Sequence, residues 1–161
     1  MNSDTNVLEI SLQSVPQKLR ITGGAEISFS RAFLSIRNTG HTAVVGFVPH
    51  ATFSQEGGSV QDVSEALSKS NSMDSIPPGK AAAWDVYDLL LAGHPGVASK
   101  VHLWGYKAIL NWQFNVAVWA EYKSSESDLS LQTPVSRWTI RWTAAKTALN
   151  VVDLTIEAVN D

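Results

Sequence analysis

Aromatic side chains concentrate near the middle of the chain, where they could bind a ligand by stacking against it. The segment NWQFNVAVWAEYK, residues 111–123, contains two tryptophans, a phenylalanine and a tyrosine. Within it, alternation places Trp119 on the same strand face as Asn115 and Glu121, opposite the face that carries the regularly spaced apolar residues. An aromatic ring on a polar strand face can contact a sugar ring, a lipid headgroup or a partner subunit. Trp119 is therefore a candidate contact residue, unless a loop or helix of its own chain covers it.

A second group of candidates is cationic. Arg137 and Arg141 flank Trp138 in the segment SRWTIRWTA. A guanidinium group can stack on an aromatic ring or bind a carboxylate through two parallel hydrogen bonds. We therefore add Arg137 and Arg141, together with His94 in the loop segment HPG, to the candidate interface or ligand site. The alternative for the two arginines is a solvated strand face.

The other chemically capable residues do not form a catalytic or metal-binding pattern. Asp85 and Asp88 stand three apart at a predicted helix start, where negative charge offsets the helix dipole. The sequence has no cysteine and no GxSxG, SxxK, GxGxxG or GxxxxGK motif. HxH and helical i,i+4 spacing are also missing from the four histidines, His41, His50, His94 and His102. We therefore predict a protein that is not an enzyme and that binds no metal or cofactor.

The composition limits the classes of partner that the protein is expected to bind. The chain has 161 residues, 17% of them charged, and a net charge of −3. Because it has no basic cluster, nucleic acid is not expected as a partner. No apolar run is long enough for a transmembrane segment, and the N-terminus lacks the basic and apolar regions of a signal peptide. We predict one domain, residues 1–161, made in the cytoplasm or assembled into a particle, with its final compartment open.

The elements that must position these residues are strands. From Tyr106 to Tyr122 every even position is apolar or aromatic, which is strand alternation. Since one strand of that length would exceed the usual size, we expect a bend near Asn111 and two strands, 101–110 and 113–123. The alternation places Trp112, Phe114, Val116, Val118 and Tyr122 in the core. Similar patterns predict strands at 136–144 and 150–159, and upstream in NVLEISLQ, KLRIT, RAFLSIRN and AVVGFVPHATF.

Two short helices are predicted between the strands. Residues 60–68 place Val60, Val63 and Leu67 on one face, with Ser59 or Asp62 as the cap. Residues 85–92 begin with an acidic residue and stop at Gly93. Many short strands separated by turn signals, without βαβ alternation, predict an all-β fold. We expect an antiparallel β-sandwich, jelly-roll or immunoglobulin-like, with the two helices in its loops.

Two stretches resemble known sandwich families. FLSIRNTGHTAVV followed by SIPPGKAAAWDV resembles the strand, NTG turn, strand and PPG pattern of immunoglobulin-like domains. NVAVWAEYKS resembles an alternating, aromatic-ended strand of viral capsid jelly rolls. The capsid resemblance implies a non-catalytic structural subunit, capsid-like or part of a surface structure, that forms a homo-oligomer or joins other protein subunits. The alternative is a binding module that uses an exposed tryptophan to hold a carbohydrate, a peptide or a membrane headgroup.

Overall fold

The computed structural model describes residues 7–20, 26–55, 58–71, 73–93, 113–126, 128–144 and 151–159. The predicted strand at 101–110, Trp112 and the candidate residue His94 lie outside these ranges. The described part of the chain contains ten strands and two short helices. The strands are β1 (Leu8–Arg20), β2 (Glu26–Asn38), β3 (Val44–Gln55), β4 (Val60–Asp62), β5 (Ser75–Ile76), β6 (Ala81–Asp85), β7 (Gln113–Ser124), β8 (Ser130–Gln132), β9 (Ser136–Ala144) and β10 (Val151–Ala158). The helices are α1 (Ser64–Ser70) and α2 (Val86–Gly93).

Strand pairing joins all of these strands into one mixed sheet. Its main order is β1-β2-β10-β9-β7-β3-β4, and β6, β8 and β5 pair with β2, β7 and β3 respectively. The described pairings are antiparallel except for the short β2/β10 contact, which is parallel. The all-β class with two short helices is confirmed. The division into two packed sheets, which defines a sandwich, stays a prediction.

The sheet curves around a single core. Leu8 on β1 and Val44 on β3 belong to the same buried cluster, although their strands stand far apart in the sheet order. The long strands change partners along their length: β7 pairs with β9 through residues 113–118 and with β8 through residues 121–123. Such changes of partner let the sheet bend, so that its apolar side encloses the core.

The alternation predicted for the central strand is confirmed. On β7 the even positions are buried, and they are Phe114, Val116, Val118, Ala120 and Tyr122. Trp142 on β9 is fully buried, and Trp84 on β6 donates its indole N–H to the carbonyl of Leu67. The strands predicted at 136–144 and 150–159 correspond to β9 and β10. Trp138, predicted to share their inner face, is half-buried against the core.

The first predicted helix begins later than expected. Residues 60–62 form β4, because they pair with Thr52, Phe53 and Ser54 at the edge of β3. Helix α1 starts only at Ser64, after Val63 has entered the core. The predicted cap is not formed: Val63 is the N-cap residue, and it makes no side-chain cap hydrogen bond. Asp62 lies one residue earlier, where its Oδ1 accepts a hydrogen bond from the Ser64 N–H at 2.8 Å. The second helix was placed within one residue and ends at Gly93 as predicted.

Removing the Asp62 carboxylate should destabilise the protein in a pH-dependent way. The hydroxyl and the N–H of Ser64 bind the carboxylate and hold the pKa of Asp62 below its ordinary value. Because a lowered pKa stabilises the folded state above the unfolded pKa, the contribution is complete at pH 7. It declines as pH falls below about 4 and is lost below the lowered pKa. We expect Asp62→Ala to cost about 1 kcal/mol at pH 7, the contribution of a typical hydrogen bond, measured by urea unfolding.

The control for this prediction is Asp128→Ala, which removes another exposed carboxylate. The difference between the Asp62→Ala variant and the unmodified protein should shrink at pH 2, whereas Asp128→Ala should have little effect at either pH. An equal cost for Asp62→Ala at both pH values would show that the carboxylate charge does not contribute.

Candidate functional site

Trp119 lies on the side of the sheet that faces away from the core. Cross-strand register places the odd-numbered residues of β7 and β9 and the even-numbered residues of β3 on this same side. We call this side the outward face. It comprises Val60 and Asp62 on β4; Val48, His50, Thr52 and Ser54 on β3; Gln113, Asn115, Ala117, Trp119 and Glu121 on β7; Arg137, Thr139, Arg141 and Thr143 on β9; and Asp153, Thr155 and Glu157 on β10.

The neighbour of Trp119 is a histidine on the next strand. His50 is its register partner, and the two rings stack with centroids 5.3 Å apart and planes 12° apart. His50 Nε2 also lies 3.4 Å from Glu121 Oε2. The sequence left open whether a loop or helix covers Trp119. In the described structure a strand residue flanks one side of the indole, which is half-buried.

The two predicted arginines share the face with Trp119 but stand at different distances from it. Arg137 is the register partner of Ala117, two residues from Trp119 along β7. Arg141 pairs with Gln113, and its Nη2 donates to Gln113 Oε1 at 3.4 Å. Four residues of strand separate the two arginines by about 13 Å. Trp119 and Arg137 can therefore contact one ligand, whereas Arg141 serves the other end of the face.

A shallow depression of about 260 Å³ opens over Ala117, two residues from Trp119 along β7. Its floor is Ala117, the smallest side chain of the outward face, and Arg137 stands on its β9 side. Exposed valines border it: Val60 is 66% exposed and Val159 is 44% exposed. Thr52, Ser54 and Asn115 contribute hydroxyl and amide groups to the lining, which Val116 and Trp138 complete.

A second depression, of about 230 Å³, lies around Arg141. Polar side chains form much of its lining, among them Gln113, Thr143 and Glu157. The face thus has a partly apolar centre at Ala117 and a charged, hydroxyl-rich flank. This combination can hold a planar or aliphatic group at the centre while polar groups bind around it.

The acidic pair at the start of α2 has a structural role. Asp85 forms an ion pair with Arg31, and its Oδ1 accepts a hydrogen bond from the Tyr87 N–H at 2.9 Å. The Arg31 guanidinium lies 5.3 Å from the centre of the Tyr87 ring, and burial raises the pKa of that tyrosine. Asp88 is exposed. Asp85 therefore caps and anchors the helix, as its position at the helix start predicted.

Within the described ranges, no three His, Asp or Glu side chains are grouped closely enough to hold a metal ion. Neither α1 nor α2 has the length and apolar character needed to span a membrane.

Sequence reasoning missed His50, Ala117, Val60 and Val159 as parts of the site. Alternation along VPHATFS already favours the polar side of β3 for His50. The pairing of His50 with Trp119, however, is set by register between strands almost seventy residues apart in sequence. Ala117 was missed because an alanine on a polar face has no local signal. Its importance comes from the larger side chains that surround it.

The comparisons with known proteins yield no family. No protein-family model matches the chain, and no curated protein matches it. A crystal structure of a Northeast Structural Genomics Consortium target, SoR45, is similar with a TM-score of 0.37 and 10% sequence identity. The match covers 81% of this chain and 85% of that chain. A likeness at this level carries neither a fold assignment nor a function.

Proposed function

We propose that the protein is a non-catalytic structural subunit that assembles with other protein subunits through its outward face. The observation that supports this most is the placement of Trp119 and Arg137 on one open face bordered by exposed valines. Tryptophan and arginine are enriched at protein interfaces and supply much of their binding energy. Exposed aliphatic side chains grouped around such residues are typical of a surface that a partner covers.

The outward face approaches the size of a protein interface. Its five strands span four spacings, or about 19 Å, and the odd positions of β7 from 113 to 121 extend over about 26 Å. The projected area is about 500 Å², and side-chain relief makes the accessible area larger. A stable interface buries about 800 Å² on each partner. The face can therefore supply most of the contact area between two subunits.

The proposal covers both forms of assembly that the sequence suggested, a capsid-like particle and a surface structure. The binding-module alternative draws support from the hydroxyl and amide groups around the depression over Ala117. Thr52, Ser54 and Asn115 could bind the hydroxyl groups of a saccharide that lies across this depression and extends to the indole of Trp119. The two functions predict different behaviour of the isolated chain.

The test is the mass of the full-length chain in solution as a function of concentration. We expect light scattering after size exclusion to give a multiple of 17.5 kDa at micromolar concentration, since a face with several anchor residues should bind in that range. A mass of 17.5 kDa up to the highest soluble concentration would count against assembly. If the chain stays at 17.5 kDa and its tryptophan fluorescence changes when glycans from a panel are added, the binding module is favoured instead.

A further inference from the structure

We infer that the depression over Ala117 receives Trp119 of a second copy of this chain, so that two outward faces join as a symmetric dimer. This inference rests on the proposed function and names its partner. In a two-fold interface each copy uses the same patch, so the patch must contain both a projecting group and its complement. The outward face contains a partly exposed indole, Trp119, and a depression over Ala117 within two residues of one strand.

The projecting group and the depression have matching positions. Trp119 and Ala117 are two residues apart on β7, which is about 6.6 Å. A two-fold axis that is parallel to the sheet and at right angles to β7, midway between these two residues, places each Ala117 opposite the partner's Trp119. The depression of about 260 Å³ is large enough to accept an aromatic side chain. In each copy the indole of Trp119 then contacts its own His50 on one side and the partner's depression on the other.

The neighbouring residues are compatible with this arrangement. The same axis sets Asn115 opposite the partner's Glu121, and Gln113 opposite the partner's Lys123. Both pairs join an amide to a charged group, which they can bind by hydrogen bonds. On β3 the axis sets Thr52 opposite the partner's His50. Along these two strands the symmetry therefore brings no two like charges together.

Arg137 adds a favourable contact. Since Arg137 lies directly beside Ala117 in the sheet, it would also lie beside the indole that enters the depression. A guanidinium group near the face of an indole is attracted to it, and more strongly once water is excluded. Stacked sheets lie about 10 Å apart, which is within reach of side chains of this length.

Exchange of the two residues tests the inference. Trp119→Ala removes the projecting group, and Ala117→Trp fills the depression. Each single substitution should raise the dimer Kd at least thirty-fold, about the effect of losing one hot-spot residue. The double variant, Trp119→Ala with Ala117→Trp, moves the indole to 117 and the space to 119. By symmetry each new indole faces the new space in its partner, so the double variant should recover at least tenfold of the lost affinity.

The measurement is sedimentation equilibrium on the full-length variants, with circular dichroism and thermal melting to confirm that each one folds. Val15→Trp is the matched control, because Val15 is 40% exposed on β1 and lies outside the outward face. It should leave the dimer unchanged. If Trp119→Ala folds poorly, Trp119→Leu provides the same test with a smaller loss of volume.

The outcomes separate this inference from the broader proposal. An unmodified chain that stays a monomer overturns both. An oligomer that none of the substitutions at 117 and 119 weakens overturns the pairing of Trp119 with Ala117 and leaves assembly standing. Weakening by both single substitutions without recovery in the double variant would place the interface on this face but overturn the two-fold register described here.

Discussion

Trp142→Ala should lower the free energy of unfolding by about 3–5 kcal/mol, the range for a large aromatic removed from a core. Trp142 is fully buried on β9. Its ring stacks on Phe29 with centroids 6.2 Å apart and meets Phe114 edge-on at 6.4 Å. Its indole N–H donates to the carbonyl of Ser30 at 2.8 Å. Alanine would leave a cavity between β2 and β7 and would remove the donor from a buried carbonyl, and both effects destabilise.

The prediction is checked by urea unfolding of the variant and of two controls. Trp142→Phe keeps a ring in the core but loses the hydrogen bond to Ser30, so it should have an intermediate cost. Trp119→Ala removes the same side-chain volume from the outward face, where the indole is only half-buried. It should cost about 1 kcal/mol or less when measured below the concentration of assembly. Equal losses for Trp142→Ala and Trp119→Ala would contradict the assignment of one tryptophan to the core and the other to the surface.

Asn38→Ala should cost about 2–4 kcal/mol, because Asn38 is a fully buried polar residue that satisfies three backbone groups. Its Nδ2 donates to the carbonyls of Thr42 and Ile76, each at 2.9 Å. Its Oδ1 accepts from the Gly40 N–H at 2.9 Å. The side chain thus ties the end of β2 to the following turn and to β5. Alanine would leave these groups without protein partners at the point where β2 leads into β3.

Two variants define the cause. Thr39→Ala removes an exposed hydroxyl that donates to the Val7 carbonyl, and it should cost about 1 kcal/mol or less. Asn38→Asp keeps the shape and the acceptor but loses both donors and places a charge against two carbonyl oxygens, so it should cost at least as much as alanine at pH 7. Thermal melting of all three variants is sufficient. An Asn38→Ala variant as stable as Thr39→Ala would show that the hydrogen bonds in this turn are dispensable.

Much of the fold could be predicted from local pattern. Alternation identified β7, β9 and β10 and the buried side of β7, because side chains on a strand point to opposite faces in turn. The end of α2 was predicted from Gly93, which stops a helix through its backbone freedom. The error at β4 has a physical reason. Residues 60–62 are suited both to a helix start and to an edge strand, and the free edge of β3 decides between them.

The candidate site was predictable only in part. The alternating pattern placed Trp119 and the two arginines on polar strand faces, and the structure brings Trp119 and Arg137 near each other on one face. The polar sides of β7 and β9 form one continuous face because the two strands are neighbours in the sheet, and the order of strands is a property of the tertiary structure. His50 and Ala117 joined the site for the same reason. His94, the fourth candidate, lies outside the described residues and stays a prediction.

By itself the sequence determined the periodic pattern of the later strands: that β7, β9 and β10 are strands, which side of β7 is apolar, and that Trp119 belongs to the polar side. These properties depend on neighbours within a few residues, so they can be read along the chain. Only the tertiary structure decided that His50 stacks on Trp119, that Ala117 forms the floor of a depression, and that Arg137 stands beside it. These relations depend on the register between strands distant in sequence. Register is set by how all the apolar faces pack together at once, and no single segment specifies it.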